Sequence, residues 1–263
     1  MELKIKEIKV DEFKHFVKKL LAIDKYVFIK MNNKTINSTV YLPQKDAVKL
    51  VSFEVPDVFE LEQPLDDMLR ISFYEGPKII ESLSYFDKNV QGKITYSQMD
   101  GEEGYFASDF MIYDKKLSIK LSCADPALTF IDMPKDDIKR AFNRDNAVFK
   151  FKLRIDDLSK MISLFKLDKA EKDTFKLKFK DKVINLVGNN YDTILSERGE
   201  TLDDELNEVT VYKKYIPLLD KENYEVEICT NKIFLRSLDT NTLLTIALCA
   251  SVEDDTDFDD IEI

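Results

Sequence analysis

The sequence is poor in the residues on which most enzymes depend. Its 263 residues include one histidine, His15, and no tryptophan. A single imidazole leaves little material for a histidine-rich zinc centre or a Ser-His-Asp triad. None of the six glycines builds G-x-G-x-x-G or G-x-x-x-x-G-K-[ST], so neither common phosphate-cradling loop is present. Gly101 and Gly104, around Glu102 and Glu103, mark a turn. The three cysteines, Cys123, Cys229 and Cys249, cannot all pair, and each lies in an apolar, strand-like run. Buried, reduced thiols in a cytoplasmic compartment are expected. No apolar run approaches the roughly 18 residues of a membrane helix. Met1 to Lys6 lacks the apolar stretch of a signal peptide, so no membrane partner is expected.

Apolar residues make up 44% of the chain, enough for a globular core. At roughly 100–200 residues per domain, the length fits one large domain or two modest ones. There are 39 basic and 50 acidic residues, a net charge of −11. Seven acids and no base fall between Val252 and Ile263: Glu253, Asp254, Asp255, Asp257, Asp259, Asp260 and Glu262. Taking these seven from −11 leaves a body at −4. Residues 253–263 therefore read as a solvated acidic tail.

Short alternating runs dominate the remainder and predict strands. In the first half they are Ile5–Val10, Tyr26–Met31, Thr35–Leu42, Val48–Val55, Arg70–Tyr74, Gly92–Gln98, Tyr105–Tyr113 and Lys116–Cys123. The second half adds Val148–Ile155, Thr174–Lys180, Val183–Gly188, Thr193–Glu197, Tyr224–Thr230, Lys232–Leu238 and Leu243–Cys249. Polar turn pieces such as Asn32-Asn33-Lys34 and Lys180-Asp181-Lys182 separate them, as in antiparallel hairpins. Helical periodicity appears over Asp11–Ile23, with Phe13, Phe16, Val17, Leu20 and Leu21 on one face. It recurs over Asp156–Leu167, with Leu158, Met161, Ile162 and Phe165. Asp11 and Asp156 are candidate caps. Shorter helices are expected over Pro77–Phe86 and Tyr212–Leu219, the latter burdened by Pro217.

The two halves repeat each other. A strand precedes Asp11-Glu12-Phe13 and a hairpin at Asn33-Lys34-Thr35-Ile36-Asn37; a strand likewise precedes Asp156-Asp157-Leu158 and a hairpin at Asp181-Lys182-Val183-Ile184-Asn185. The offsets are 145 and 148 residues. The expected class is α+β, built as two similar β-rich repeats over 1–123 and 147–252. The connector would be 124–146, with Pro126 and Pro134.

The polar faces of the expected helices carry lysine: Lys14, His15, Lys18 and Lys19 on the first, Lys160 and Lys166 on the second. Lys78 and Lys88 flank the third, and Lys213 and Lys214 begin the fourth. Lysine on all four helices of an acidic protein suits a phosphate backbone without sequence readout. With no excess of aromatic platforms, duplex is favoured over single strands. Non-specific phosphate binding reaches only about 10⁻⁴–10⁻⁶ M at physiological salt. An acidic protein that stays on DNA therefore needs another device, such as enclosure.

This ordered pattern resembles the sliding DNA clamps of the PCNA type. Leu248-Cys249-Ala250-Ser251-Val252-Glu253-Asp254-Asp255 resembles the C-terminal segment of PCNA. Ala124-Asp125-Pro126-Ala127 and Lys182-Val183-Ile184-Asn185 resemble the clamps of T-even bacteriophages. The resemblance implies a non-enzymatic homotrimer, opened by an ATP-driven clamp loader. It implies sheets outside, two helices per repeat lining the hole, and duplex DNA within. Lys14, Lys18, Lys19, Lys160 and Lys166, then Lys78, Lys213 and Lys214, would face that DNA. Polymerases would dock by short peptides at Tyr41, Leu42, Leu128, Phe130, Ile131, Ala250 and Val252. A viral origin would place the protein in the host cytoplasm. Three features depart from the pattern: the stretch Glu54–Asp67, read as an inserted loop; the acidic insertion Ser196–Glu208; and Pro217.

Other readings remain open on the residues alone. A clamp-like monomer or dimer could hold DNA by its lysines without encircling it, or the same fold could serve protein interactions without DNA. Asp66-Asp67, Asp136-Asp137 and Asp203-Asp204 are acidic pairs of the kind a magnesium nuclease uses, but suit turns better. Asp255, Asp257 and Asp259 mimic the opening of a calcium loop, yet Asp260 stands where glycine is needed.

Overall fold

The computed structural model describes residues 1–87, 90–98, 103–125, 133–167, 173–203 and 206–249. The chain forms two compact units. The first holds Met1–Asn143 together with Pro217–Glu222 and Leu235–Thr245; the second holds Arg144–Ile216, Asn223–Phe234 and the chain from Ile246.

Unit 1 contains β1 (Glu2–Ile8), α1 (Val10–Leu21), β2 (Val27–Met31), β3 (Thr35–Tyr41), β4 (Ala47–Glu54), α2 (Val55–Val58), β5 (Phe59–Leu61), β6 (Leu69–Phe73), α3 (Gly76–Ser84), β7 (Val90–Gln98), β8 (Tyr105–Tyr113), β9 (Ser118–Ser122) and α4 (Lys135–Phe142). Its sheet runs β4-β3-β2-β6-β8-β7-β1-β5, with β9 added beside β8. Pairing is antiparallel except between β6 and β8. The β2–β3 turn forms because the Asn32 Oδ1 accepts from the N–H groups of Lys34 and Thr35, at 2.7 and 2.8 Å. Phe13 on α1 meets the rings of Phe59 and Phe110 edge-on, at 5.0 and 5.9 Å, so the helix is packed on the sheet by aromatic contacts. Gly76 opens α3 where only glycine fits: a Cβ there would lie 2.5 Å from the side chains of Leu21 and Val27.

Unit 2 contains β10 (Ala147–Leu153), α5 (Ile155–Phe165), β11 (Thr174–Lys180), β12 (Val183–Val187), β13 (Asp192–Ser196), β14 (Glu200–Thr201), β15 (Glu208–Tyr212), a 3-10 turn that begins at Lys213, and β16 (Tyr224–Cys229). Its strands form β14-β10-β16 and, separately, β13-β12-β11-β15. The strand β17 (Lys232–Ser237) starts in unit 2 beside β16, and β18 (Asn241–Ala247) returns there. The tip of that hairpin, Leu235–Thr245, belongs to unit 1, where β18 lies beside β4.

Several expectations are corrected. The stretch Glu54–Asp67 is no loose insertion: Val55, Val58, Phe59 and Leu65 are buried, and β5 pairs with β1. Pro56 sits in the first turn of α2, where its missing N–H costs nothing. Within Ser196–Glu208, β14 pairs with β10. Within the stretch expected to be a connector, Lys135–Phe142 forms α4. The caps are Lys9 and Arg154; Asp11 and Asp156 instead lie in the first turns, where their charge favours the helix dipole. The fourth helix is a 3-10 segment, Lys213–Leu218, with Pro217 inside it, and Tyr212 ends β15.

Unit 1 is tied together by a buried ionic cluster. Lys19 on α1 and Lys49 on β4 are 1% and 0% exposed. The Lys19 Nζ donates to the Asp220 Oδ2 at 3.0 Å and to the Glu222 Oε1 at 2.6 Å. The Lys49 Nζ donates to the Asp220 Oδ1 and to the Leu218 carbonyl, both at 3.0 Å. The Glu222 Oε2 accepts from the hydroxyls of Ser237 at 2.6 Å and Thr240 at 3.0 Å. Burial pushes the Lys49 pKa down, and the Asp220 carboxylate opposes it. All of these groups fall in unit 1 although about 170–200 residues separate the two lysines from their acceptors.

Two measurements follow from this packing. Asp220→Ala leaves two buried ammonium groups short of an acceptor, so it should cost about 3–5 kcal/mol, read as a lowered denaturation midpoint. Burial raises the Cys123 thiol to about 12. At pH 8 its thiolate fraction is on the order of 10⁻⁴, so maleimide should label Cys123 only after unfolding.

Candidate nucleic-acid interface

The amphipathic helices decide which lysines reach solvent. On α1, Phe13, Phe16, Val17 and Leu20 are buried, which leaves Lys18 exposed and Lys14 half-buried. Lys19 is a correction: its amine ends in the ionic cluster and is not available to a phosphate. Position 19 lies three residues beyond Phe16, on the border of the apolar stripe, and its side chain turns inward to Asp220 and Glu222. His15 is exposed along the same helix, with its Nε2 3.5 Å from the Glu222 Oε1 and its ring against Phe53.

α3 packs beside α1 through the close approach at Gly76. Lys78 on α3 is exposed and paired with Glu75, whose hydrogen bond and charge raise its pKa. Lys25 was missed by sequence reasoning. It follows α1, is exposed, and lies 5.1 Å from the centre of the Tyr26 ring. Its carbonyl accepts from the Gly76 N–H at 2.8 Å, fixing the entry to α3. The useful signal is its place between the first helix and β2, because such a junction meets the helix layer. Lys88 lies outside the described residues.

In unit 2, α5 buries Leu158 and Met161. Lys160 is exposed, and its Nζ donates to the Thr193 hydroxyl of β13 at 2.8 Å. Lys166 follows the helix end and is exposed. Lys213 is half-buried and lies 5.9 Å from the centre of the Phe165 ring, so the 3-10 turn meets the end of α5. Lys214 is exposed and lies over Tyr212 and Tyr215, at 5.2 and 4.8 Å. These rings lie within cation–π reach of the amines. A groove in unit 2 brings in Lys152, Arg154 and Arg198, balanced by Asp157, Glu197 and Glu200. Each unit thus joins its helical segments at a surface that carries lysines.

Of the expected peptide-docking residues, Tyr41 and Leu42 are half-buried at the end of β3. The turn after them is closed by the Leu42 N–H donating to the Ala47 carbonyl at 3.0 Å. At its tip, Lys45 adopts a φ of 57°. Its Nζ reaches the Asp137 Oδ2 of α4 at 3.1 Å, so the turn and the helix after Pro134 are linked within unit 1. Lys45 holds the Asp137 carboxyl below the usual range, with Arg140 adding to the effect. Leu128, Phe130, Ile131, Ala250 and Val252 lie outside the described residues.

No protein-family model matches the chain, and no curated protein matches it significantly. Solved structures do. A PCNA2–PCNA3 complex from Sulfolobus tokodaii aligns with a TM-score of 0.63 at 12% identity, over 94% of this chain and 99% of that one. A. fulgidus PCNA, solved with the C-terminal region of FEN-1, aligns at 0.65 and 10%, over 95% and 100%. PCNA from Entamoeba histolytica aligns at 0.65 and 13%, over 94% and 98%. A Helicobacter pylori beta clamp also aligns, at 0.63 and 12%. With two β-rich units and few helices, this chain has the sliding-clamp fold.

Proposed function

We propose that this protein is a DNA sliding clamp: a non-enzymatic processivity factor that encircles duplex DNA and tethers replication enzymes. The observation that carries the reading is the union of that fold with lysines on the helical surface of each unit. Lys14, Lys18 and Lys78 in unit 1, and Lys160, Lys166, Lys213 and Lys214 in unit 2, supply a phosphate-facing lining. Lys25 joins them. The net charge of −11 argues that these amines alone would bind DNA weakly, so retention comes from enclosure.

Ring closure has a physical basis in the sheet edges. Among the described residues β9 pairs only with β8, and β13 only with β12. Open edges of this kind pair with another chain unless they are blocked. Joining β9 of one copy to β13 of the next gives a head-to-tail interface that can close, and three copies of two units make a homotrimer. In functional terms 1–123 and 147–252 are the repeats, 124–146 the connector, and 253–263 the tail. The relative bound to a FEN-1 peptide supports docking of polymerase and clamp-loader peptides near Tyr41 and Leu42. The short matches at 124–127 and 182–185 support a phage-like clamp acting in a host cytoplasm.

In solution at micromolar concentration the protein should have the mass of a trimer. Ile194 on β13 is 47% exposed, so Ile194→Arg should shift that mass to the monomer with an unchanged circular dichroism spectrum. A wild-type monomer with strongly salt-dependent DNA affinity would instead support the reading that lysines hold DNA without enclosure. The combined substitution of Lys14, Lys18, Lys160 and Lys166 by Glu should abolish processive synthesis on primed circles while leaving the trimer intact. Processivity that survived this change would remove these lysines from the DNA path.

A further inference from the structure

The described part of unit 2 ends beside a basic and aromatic patch. The Cys249 N–H donates to the Thr210 carbonyl of β15 at 3.0 Å, two residues before Tyr212. The Tyr212 hydroxyl and the Lys214 ammonium both act on the Cys249 thiol, against the larger effect of burial. Around this point stand Lys213 over Phe165 and Lys214 over Tyr212 and Tyr215. Lys166 and Leu167 follow Phe165, and Tyr212 and Leu167 are 38% and 61% exposed. The patch thus carries three amines beside exposed apolar surface.

The fourteen residues after Cys249 are complementary to it. They carry seven acids and no base, interleaved with Phe258, Ile261 and Ile263. The first acid, Glu253, comes four residues after Cys249. A random coil of fourteen residues spans about 20 Å, ample for a patch adjoining its anchor. Tethering places the acids at a millimolar effective concentration, so even a weak local affinity suffices for occupancy.

We infer that the acidic tail, Glu253–Ile263, docks in cis on the patch formed by Lys166, Tyr212, Lys213 and Lys214 and acts there as a mimic of the DNA backbone. The docking stands on the charge, the apolar residues and the anchor point. Its competition with DNA rests on the clamp reading proposed above. An incoming duplex must displace the tail from these amines. Casual contact with DNA outside the ring is thereby suppressed, whereas DNA held inside competes at high local concentration.

Zero-length carbodiimide coupling of the full chain tests the docking. Tail carboxylates should link to Lys166, Lys213 and Lys214 of unit 2 and leave the exposed Lys4 and Lys34 of unit 1 unlinked. In a mixture of isotopically light and heavy chains, the links should lie within one chain. Links spread evenly over all lysines, or formed between chains, would overturn the inference. A second arm uses the full chain with Asp254, Asp255, Asp257, Asp259 and Asp260 replaced by Asn. Acetylation of Lys213 and Lys214 by acetic anhydride should rise several-fold against that of Lys4. Unchanged acetylation would also overturn it. The same variant should bind a short linear duplex several-fold tighter, with a steeper salt dependence. Increased acetylation without tighter DNA binding would uphold the docked tail and remove Lys213 and Lys214 from the DNA path.

Discussion

The fold of unit 1 depends on two ammonium groups that have been taken out of water. Lys19 and Lys49 are as buried as the core phenylalanines, and their charge is tolerable only because Asp220 and Glu222 arrive to meet it. Those carboxylates lie far along the chain, and Glu222 is itself positioned by the hydroxyls of Ser237 and Thr240. The cluster adds little net stability over an apolar equivalent, but it penalises every arrangement in which one partner is missing. It therefore specifies where Pro217–Glu222 and Leu235–Thr245 must go, and β18 settles beside β4 as a consequence.

Much of the architecture could be read from local pattern, because strand alternation and helix periodicity record which face is buried. The runs Tyr105–Tyr113 and Thr174–Lys180 coincide with β8 and β11 residue for residue, and α1, α3 and α5 lie within about two residues of their expected limits. The internal similarity of the two halves was visible for the same reason. What stayed hidden depends on distant partners or on exceptions to local rules. Lys19 reads as a surface lysine until Asp220 and Glu222 are placed beside it. Pro56 suggests a loop, yet a first-turn proline is compatible with a helix. The β14 segment has two residues and no alternation to detect. At Lys213 and Lys214 the residues were visible, but the aromatic rings beneath them were not.

The lysines that reach the surface are individually modest. Lys78 shares its charge with Glu75, and Lys160 spends a hydrogen bond on Thr193. Lys18, Lys25, Lys166 and Lys214 are likewise exposed beside the helical segments. On the proposed clamp reading such a surface would attract phosphates without gripping any one of them, because α1, α3, α5 and the 3-10 segment carry lysine and no arginine. On that same reading, weak and interchangeable contacts would permit translation along a duplex, whereas strong directional ones would arrest it.

The discontinuity of unit 1 also bears on how a nascent chain matures. Synthesis proceeds from the N-terminus, so β4 and the amines of Lys19 and Lys49 emerge from the ribosome long before Asp220, Glu222 or the hairpin tip. Until then the strand lacks a neighbour and the two cations lack their counter-charges, a state open to pairing with other chains. The first half of the sequence is thus the last to be completed. Expressed alone, residues 1–143 would carry that defect permanently, and an aggregation-prone product is the expected fate of such a fragment.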